Sequence, residues 1–149
     1  MRWALLLAVG VGLAGCAQPV ERPGWVRPDL GANWLDGGGV RWPPDDGFRG
    51  AAVPIVLPAG VLLDRFGADT GRFLSPKGAA FRARALPSVC AGQTYSVFRV
   101  ASPLPVWIGR AAGWFDEPGG ATQVQVDATV AQLLADGVLV RMPGTAAPC

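Results

Sequence analysis

Histidine is absent from the 149 residues. That excludes Ser/His/Asp and Cys/His nucleophilic catalysis in their usual forms, and zinc sites with imidazole ligands. Glutamate occurs only at Glu21 and Glu117, so a Glu/Glu acid–base pair is not expected. Lys77 is the sole lysine against twelve arginines, which assigns any cationic chemistry to guanidinium groups. Cysteine appears three times, at Cys16, Cys90 and Cys149, and no spacing of potential ligands reads as a metal motif. The formal net charge is only +2, and Arg2 contributes part of it, so nucleic-acid binding has no electrostatic argument.

What is present begins with an address. Met1-Arg2 is a positive end, residues 3–13 are apolar apart from glycines, and Leu13-Ala14-Gly15-Cys16 follows. A bilayer-spanning helix needs about 20 apolar residues, so this run is too short to be one. It resembles the signal and lipobox of bacterial lipoproteins, in which the chain is cut before the cysteine and that thiol is acylated. The expectation is a signal peptide over residues 1–15, lipidation at Cys16, and an exported protein on the extracytoplasmic face of the cell membrane. Export into an oxidising compartment makes Cys90 and Cys149 candidates for a disulfide, with two free thiols as the open alternative.

Residues 16–40 carry Pro19, Pro23, Gly24, Pro28 and Gly37-Gly38-Gly39 with no period of two or of 3.6, and read as a flexible tether. The glycine run lacks the lysine and hydroxyl of a phosphate-binding loop. The folded domain is expected over residues 41–149. Short apolar runs at 53–57, 61–66, 95–100, 106–109, 122–126 and 138–142 read as strands. Breakers at Asp69-Thr70-Gly71, Pro76-Lys77-Gly78 and Pro118-Gly119-Gly120 separate them. One helix is expected after Asp127 as N-cap, with Val130, Leu133 and Leu134 on one face and Gly137 ending it. The fold class is therefore α+β, mostly antiparallel β with one clear C-terminal helix, in a single compact domain.

Five pieces lie in one order along this domain: Trp42-Pro43-Pro44-Asp45-Asp46-Gly47-Phe48, Leu63-Asp64-Arg65-Phe66-Gly67, Gly71-Arg72-Phe73-Leu74-Ser75-Pro76, Arg84-Ala85-Leu86-Pro87, and Pro118-Gly119-Gly120-Ala121-Thr122-Gln123. Together they resemble the TNT domain, named after the tuberculosis necrotizing toxin and shared with fungal surface NADases. The resemblance implies an NAD+ or NADP+ glycohydrolase that releases nicotinamide and ADP-ribose, needs no cofactor beyond that substrate, and is held in check by an immunity protein. It assigns catalysis to Arg65 and Gln123, and substrate binding to Phe66, Phe73 and Arg84. Ser96 stands where some members have histidine.

The chemistry is compatible with this inventory. Nicotinamide in NAD+ is already a cationic pyridinium and departs neutral, so its departure needs no general acid. The demand falls on orientation and on dipoles facing an oxocarbenium-like ribose. On this reading Arg65 and Arg84 clamp the pyrophosphate, Phe66 and Phe73 hold the nicotinamide ring, and Gln123 turns its amide oxygen to the ribose. Gln125 shares the polar face of that strand, and Gln123 is preferred for its place beside the glycine-rich turn. By default Trp107 and Trp114 read as core residues and Asp116-Glu117 as a solvated turn. Two other outcomes stay open: ADP-ribosyl transfer or cyclisation at the same bond, and a catalytically silent envelope lipoprotein that binds a partner.

Overall fold

The computed structural model describes residues 21–37, 39–144 and 146–149. The expected signal peptide and Cys16 lie outside the described residues. Among the described residues nine strands and one α-helix follow in chain order, alongside short 3-10 turns. They are β1 (Leu35–Asp36), β2 (Gly39–Val40), β3 (Val53–Leu57), β4 (Leu62–Phe66), β5 (Phe73–Pro76), β6 (Tyr95–Val100), β7 (Leu104–Arg110), β8 (Thr122–Gln125), α1 (Val130–Ala135) and β9 (Leu139–Arg141). Strands β3 to β9 form one seven-stranded sheet in the order β3-β7-β8-β5-β4-β6-β9, and every pairing is antiparallel. The expected α+β class, mostly antiparallel with a short C-terminal helix, is what the chain adopts. Among the described residues no helix is long and apolar enough to cross a membrane.

Strand alternation divides the sheet into two faces. Leu63, Leu74, Phe98, Val124 and Val106 turn to one side and pack with Val130 and Leu133 of α1 in the main core. The opposite parity puts Asp64, Phe66, Phe73, Ser75, Gln123, Gln125 and Trp107 on the other face, linked across strands by the pairs Asp64–Ser75, Phe73–Gln125 and Trp107–Gln125.

The helix is capped two residues later than expected. Thr129, not Asp127, is the N-cap: its hydroxyl accepts from the Gln132 amide, and the Gln132 side chain accepts from the Thr129 amide. Asp127 has no side chain three residues on that returns such a bond. The first free amides of the helix, at Val130 and Ala131, donate to the carbonyls of Gly71 and Asp69. The helix therefore grips the loop that leads into β5.

The tether reading fails for the described part of residues 16–40. Val26, Leu30, Leu35 and Val40 are buried together around Phe115, which is fully buried at a left-handed φ of 54° in the turn between Trp114 and Glu117. The segment wraps a single protruding ring, which requires isolated apolar residues and not a periodic stripe. Arg27 fastens it by donating to the Phe115 carbonyl at 2.6 Å and to Glu117 Oε1 at 2.5 Å. Glu117 also receives Arg82 at 2.7 Å, so it is a pinned carboxylate and not part of a solvated turn. Cys90 and Cys149 form a disulfide that returns the chain end to the domain. Trp107 departs from the expected core position and is 43% exposed.

Candidate functional site

All five residues that the family resemblance singled out, Arg65, Phe66, Phe73, Arg84 and Gln123, line one small cavity of about 60 Å³ together with Ser75. They come from four separate segments. β4 brings Arg65 and Phe66, β5 brings Phe73, the helical turn Arg82–Arg84 brings Arg84, and β8 brings Gln123.

Arg65 has the parity of the core residue Leu63, yet sits near the end of β4 where the core has given out. Its guanidinium folds beneath the 67–72 loop, with Nε donating to the Ala68 carbonyl at 2.8 Å and Nη1 to the Phe73 carbonyl at 2.7 Å. Nη2 lies against Gly71, at a point only 1.8 Å from where a Cβ on that residue would stand. Burial lowers the Arg65 pKa, and nearby Asp69 opposes that shift. Asp69 is itself paired with Arg141, whose Nη1 also donates to Ser96 Oγ. Ser96, where the resemblance led one to expect histidine in some members, thus belongs to an ion network beside Arg65.

Phe66 and Arg84 are more enclosed than expected. The Phe66 ring is 7% exposed and makes edge or tilted contacts with Phe81 and Tyr95, each at 4.9 Å between centroids. Arg84 covers it, with its guanidinium carbon 4.9 Å from the ring centroid, a cation–π arrangement. The Arg84 Nη2 is 2.6 Å from Asp64 Oδ1, close enough for an ion pair although not aligned as a hydrogen bond. Nε and Nη2 also donate to the Ala79 carbonyl. Asp64 is wholly buried and accepts at Oδ2 from the Gly78 amide and the Tyr95 hydroxyl. Burial, followed by this bond to Asp64, pushes the Tyr95 phenol up to about 12. Arg84 is therefore part of the wall, and most of its charge is answered by Asp64.

Gln123 is held by an unusual turn. Asp45, Asp46 and Gly47 all have positive φ, at 52°, 52° and 76°. Consecutive left-handed residues are costly outside glycine and concentrate where a backbone group must be aimed. Here the aimed group is the Asp46 carbonyl, which accepts from Gln123 Nε2 at 2.8 Å. That bond assigns the carboxamide orientation and leaves Oε1 as an acceptor with no hydrogen-bond partner among the described residues. Gly47 lies over the same carboxamide: a Cβ there would be 3.7 Å from both of its terminal atoms.

Sequence reasoning named Asp64, Tyr95 and Gly71 only as parts of motifs or strands, although they fix the arginines. The signal for Gly71 was its place in Asp69-Thr70-Gly71, read there as a breaker and not as a seat for Arg65. A fixed amide oxygen, a half-exposed phenylalanine and a buried Arg–Asp–Tyr support give this cavity the means to orient a flat ring and to oppose positive charge developing beside it.

The comparisons with known proteins converge. The sequence model of the family described as Tuberculosis necrotizing toxin matches residues 56–142. The conidial surface nicotinamide adenine dinucleotide glycohydrolase nadA of Aspergillus fumigatus is 37% identical over 114 residues, covering 68% of this chain and 49% of its own. The chain thus spans about half the length of that curated relative. Among solved structures, tuberculosis necrotizing toxin complexed with its immunity factor superposes with a TM-score of 0.58 at 24% identity, over 72% of this chain and 66% of the other. Rhs1-CT in complex with its cognate immunity protein superposes at 0.50 and 15% identity, over 67% and 83%. Both structural matches concern the fold.

Proposed function

Because the chain belongs to the tuberculosis necrotizing toxin family, we propose that it is an NAD+ glycohydrolase. Its nearest functional support is the name of the fungal relative, a nicotinamide adenine dinucleotide glycohydrolase. The observation that carries the reading is the Gln123 carboxamide. Its nitrogen is tied to the Asp46 carbonyl and its oxygen is left to face a charge that develops only in the transition state.

In the reaction the C1′–N bond of the nicotinamide riboside breaks and its electron pair goes to the pyridinium, which leaves neutral. Gln123 Oε1 stabilises the oxocarbenium-like ribose, water adds at C1′, and the water proton passes to solvent. Phe73 is the ring available to nicotinamide, since Phe66 is closed in by Phe81, Tyr95 and Arg84. A cavity of about 60 Å³ has room for roughly two waters, so seating a pyridine ring turns Phe73 outward. Arg65 acts by holding the 67–72 loop from which Phe73 emerges. Arg84 acts by supporting Phe66.

We also propose that the protein is exported and lipidated at Cys16, on the strength of the Leu-Ala-Gly-Cys run, and that an immunity protein restrains it, as the structural neighbours are each solved with one. Incubating the purified protein with NAD+ and measuring free nicotinamide tests the activity. Chromatography of the second product separates hydrolysis from transfer or cyclisation. Gln123→Ala is expected to lower kcat by about 100-fold with KM changed little, corresponding to about 3 kcal/mol in the barrier. Full nicotinamide release by Gln123→Ala would remove that residue from the mechanism.

A further inference from the structure

A larger cavity, of about 680 Å³, opens on the same face of the sheet. Phe73, Gln125 and Trp107 stand in one registered row across β5, β8 and β7. The row covers two strand spacings, about 10 Å. Phe73 borders the small cavity, whereas Gln125 and Trp107 border the large one. The two cavities are therefore adjacent seats along one surface, with an aromatic ring at each end.

Two side chains of the larger seat stand out by what they are not doing. Trp107 is 43% exposed on the sheet face, between its registered neighbours Pro54 and Gln125. Arg72, the residue before Phe73, is exposed and has neither an ion pair nor a side-chain hydrogen bond among the described residues. Arg65 and Arg84, by contrast, are committed to backbone carbonyls and to Asp64. Three carboxylates, Asp45, Asp46 and Asp127, complete the rim without cationic partners among the described residues, and of these Asp46 already engages Gln123 through its backbone carbonyl.

We propose that this larger cavity seats the adenosine half of the dinucleotide, with Trp107 stacked on adenine, Arg72 on the pyrophosphate, and Asp45 and Asp127 selecting NAD+ over NADP+. This rests on the glycohydrolase reading and adds to it the half of the substrate that does not react. An indole face left open to solvent suits a purine of any hydrogen-bonding pattern. A guanidinium without a partner, next to Phe73 in sequence and lining the same cavity as Trp107, suits a bridging pyrophosphate. Carboxylates accept hydrogen bonds from ribose hydroxyls, and they repel a 2′-phosphate carrying nearly two negative charges.

The test uses product binding, which does not depend on turnover. Calorimetric titration of the intact protein with ADP-ribose and with its 2′-phosphate is expected to show ADP-ribose binding about tenfold more tightly. Trp107→Ala should weaken ADP-ribose about tenfold, and Trp107→Phe, which keeps a π face, should recover most of it. Asp45→Asn combined with Asp127→Asn, which removes two of the three rim carboxylates, should narrow the gap between the two ligands. An unchanged ADP-ribose affinity in Trp107→Ala, with its circular dichroism intact, overturns the adenosine seat, and equal affinity of the unaltered protein for both ligands overturns the selection. Binding through Trp107 without any nicotinamide release from NAD+ would instead retire the hydrolase reading and keep the seat.

Discussion

The guanidinium of Arg65 occupies the space that a side chain on residue 71 would need. A Cβ on Gly71 would lie 1.8 Å from Nη2, 2.2 Å from Cζ and 2.6 Å from Nη1. No rotation within the loop relieves three such contacts at once, because Arg65 is bonded to carbonyls on both sides of it. Gly71→Ala is therefore expected to expel the guanidinium, cost about 1–3 kcal/mol of stability, and lower nicotinamide release by at least about tenfold. Denaturant unfolding measured beside the activity assay checks both halves. A variant of unaltered stability and activity would show that Arg65 has no fixed seat here.

Arg84 and Asp64 are a buried pair whose members depend on each other. Arg84→Ala leaves the Asp64 carboxylate fully buried with only the Gly78 amide and the Tyr95 hydroxyl as donors, and is expected to cost about 3–5 kcal/mol. Neutralising both members, as in Asp64→Asn with Arg84→Met, should recover a large part of that loss. The two unfolding curves measured at neutral pH decide the matter. An Arg84→Ala protein as stable as the parent, with only KM raised, would return Arg84 to direct contact with substrate.

Tyr95 is the only tyrosine, so its ionisation can be followed alone by near-ultraviolet absorbance. Its folded pKa is raised from 10.0 to about 12, chiefly by burial and then by its bond to Asp64. A raised pKa means that the folded state favours the protonated phenol. The associated stability is present in full below pH 10 and is lost as pH rises through 12. Tyr95→Phe should flatten the fall of stability in that window, and Asp64→Asn should move the titration midpoint downward. A midpoint near 10 in the unaltered protein would contradict the buried hydrogen bond.

The disulfide joins residues 59 apart in sequence. Constraining the unfolded chain over such a loop stabilises the fold by about 4 kcal/mol in the chain-entropy model. Unfolding with and without reductant should show a loss of this order, reproduced without reductant by Cys90→Ser. Two thiols titrating in the native, unreduced protein would rule the bridge out.

Much of this could be read from residue types alone, and the exceptions have physical causes. Strands Val53–Leu57 and Tyr95–Val100 match their apolar runs residue for residue. β5 was not read as a strand because it has four residues, ends in Pro76 and abuts a breaker, leaving too little alternation to register. The helix start was misplaced because Asp127 and Thr129 both carry capping oxygens, and only Gln132 decides between them. The cavity residues were legible through the family resemblance, but not their degree of enclosure. Phe66 is buried by Phe81 and Tyr95, and Arg84 is neutralised by Asp64, and such pairings exist only once distant segments meet. Residues 21–40 escaped because wrapping Phe115 leaves no period in the sequence.

That wrapping changes the mechanics of the proposed anchor. With Arg22 already bonded to the Arg27 and Pro28 carbonyls, only residues 17–21 separate Cys16 from the folded body. At about 3.5 Å per extended residue they reach at most roughly 20 Å. Were Cys16 acylated as proposed, so short a leash would bar free tumbling: the domain would meet the lipid surface in a restricted set of attitudes, and substrate would approach from the hemisphere left open.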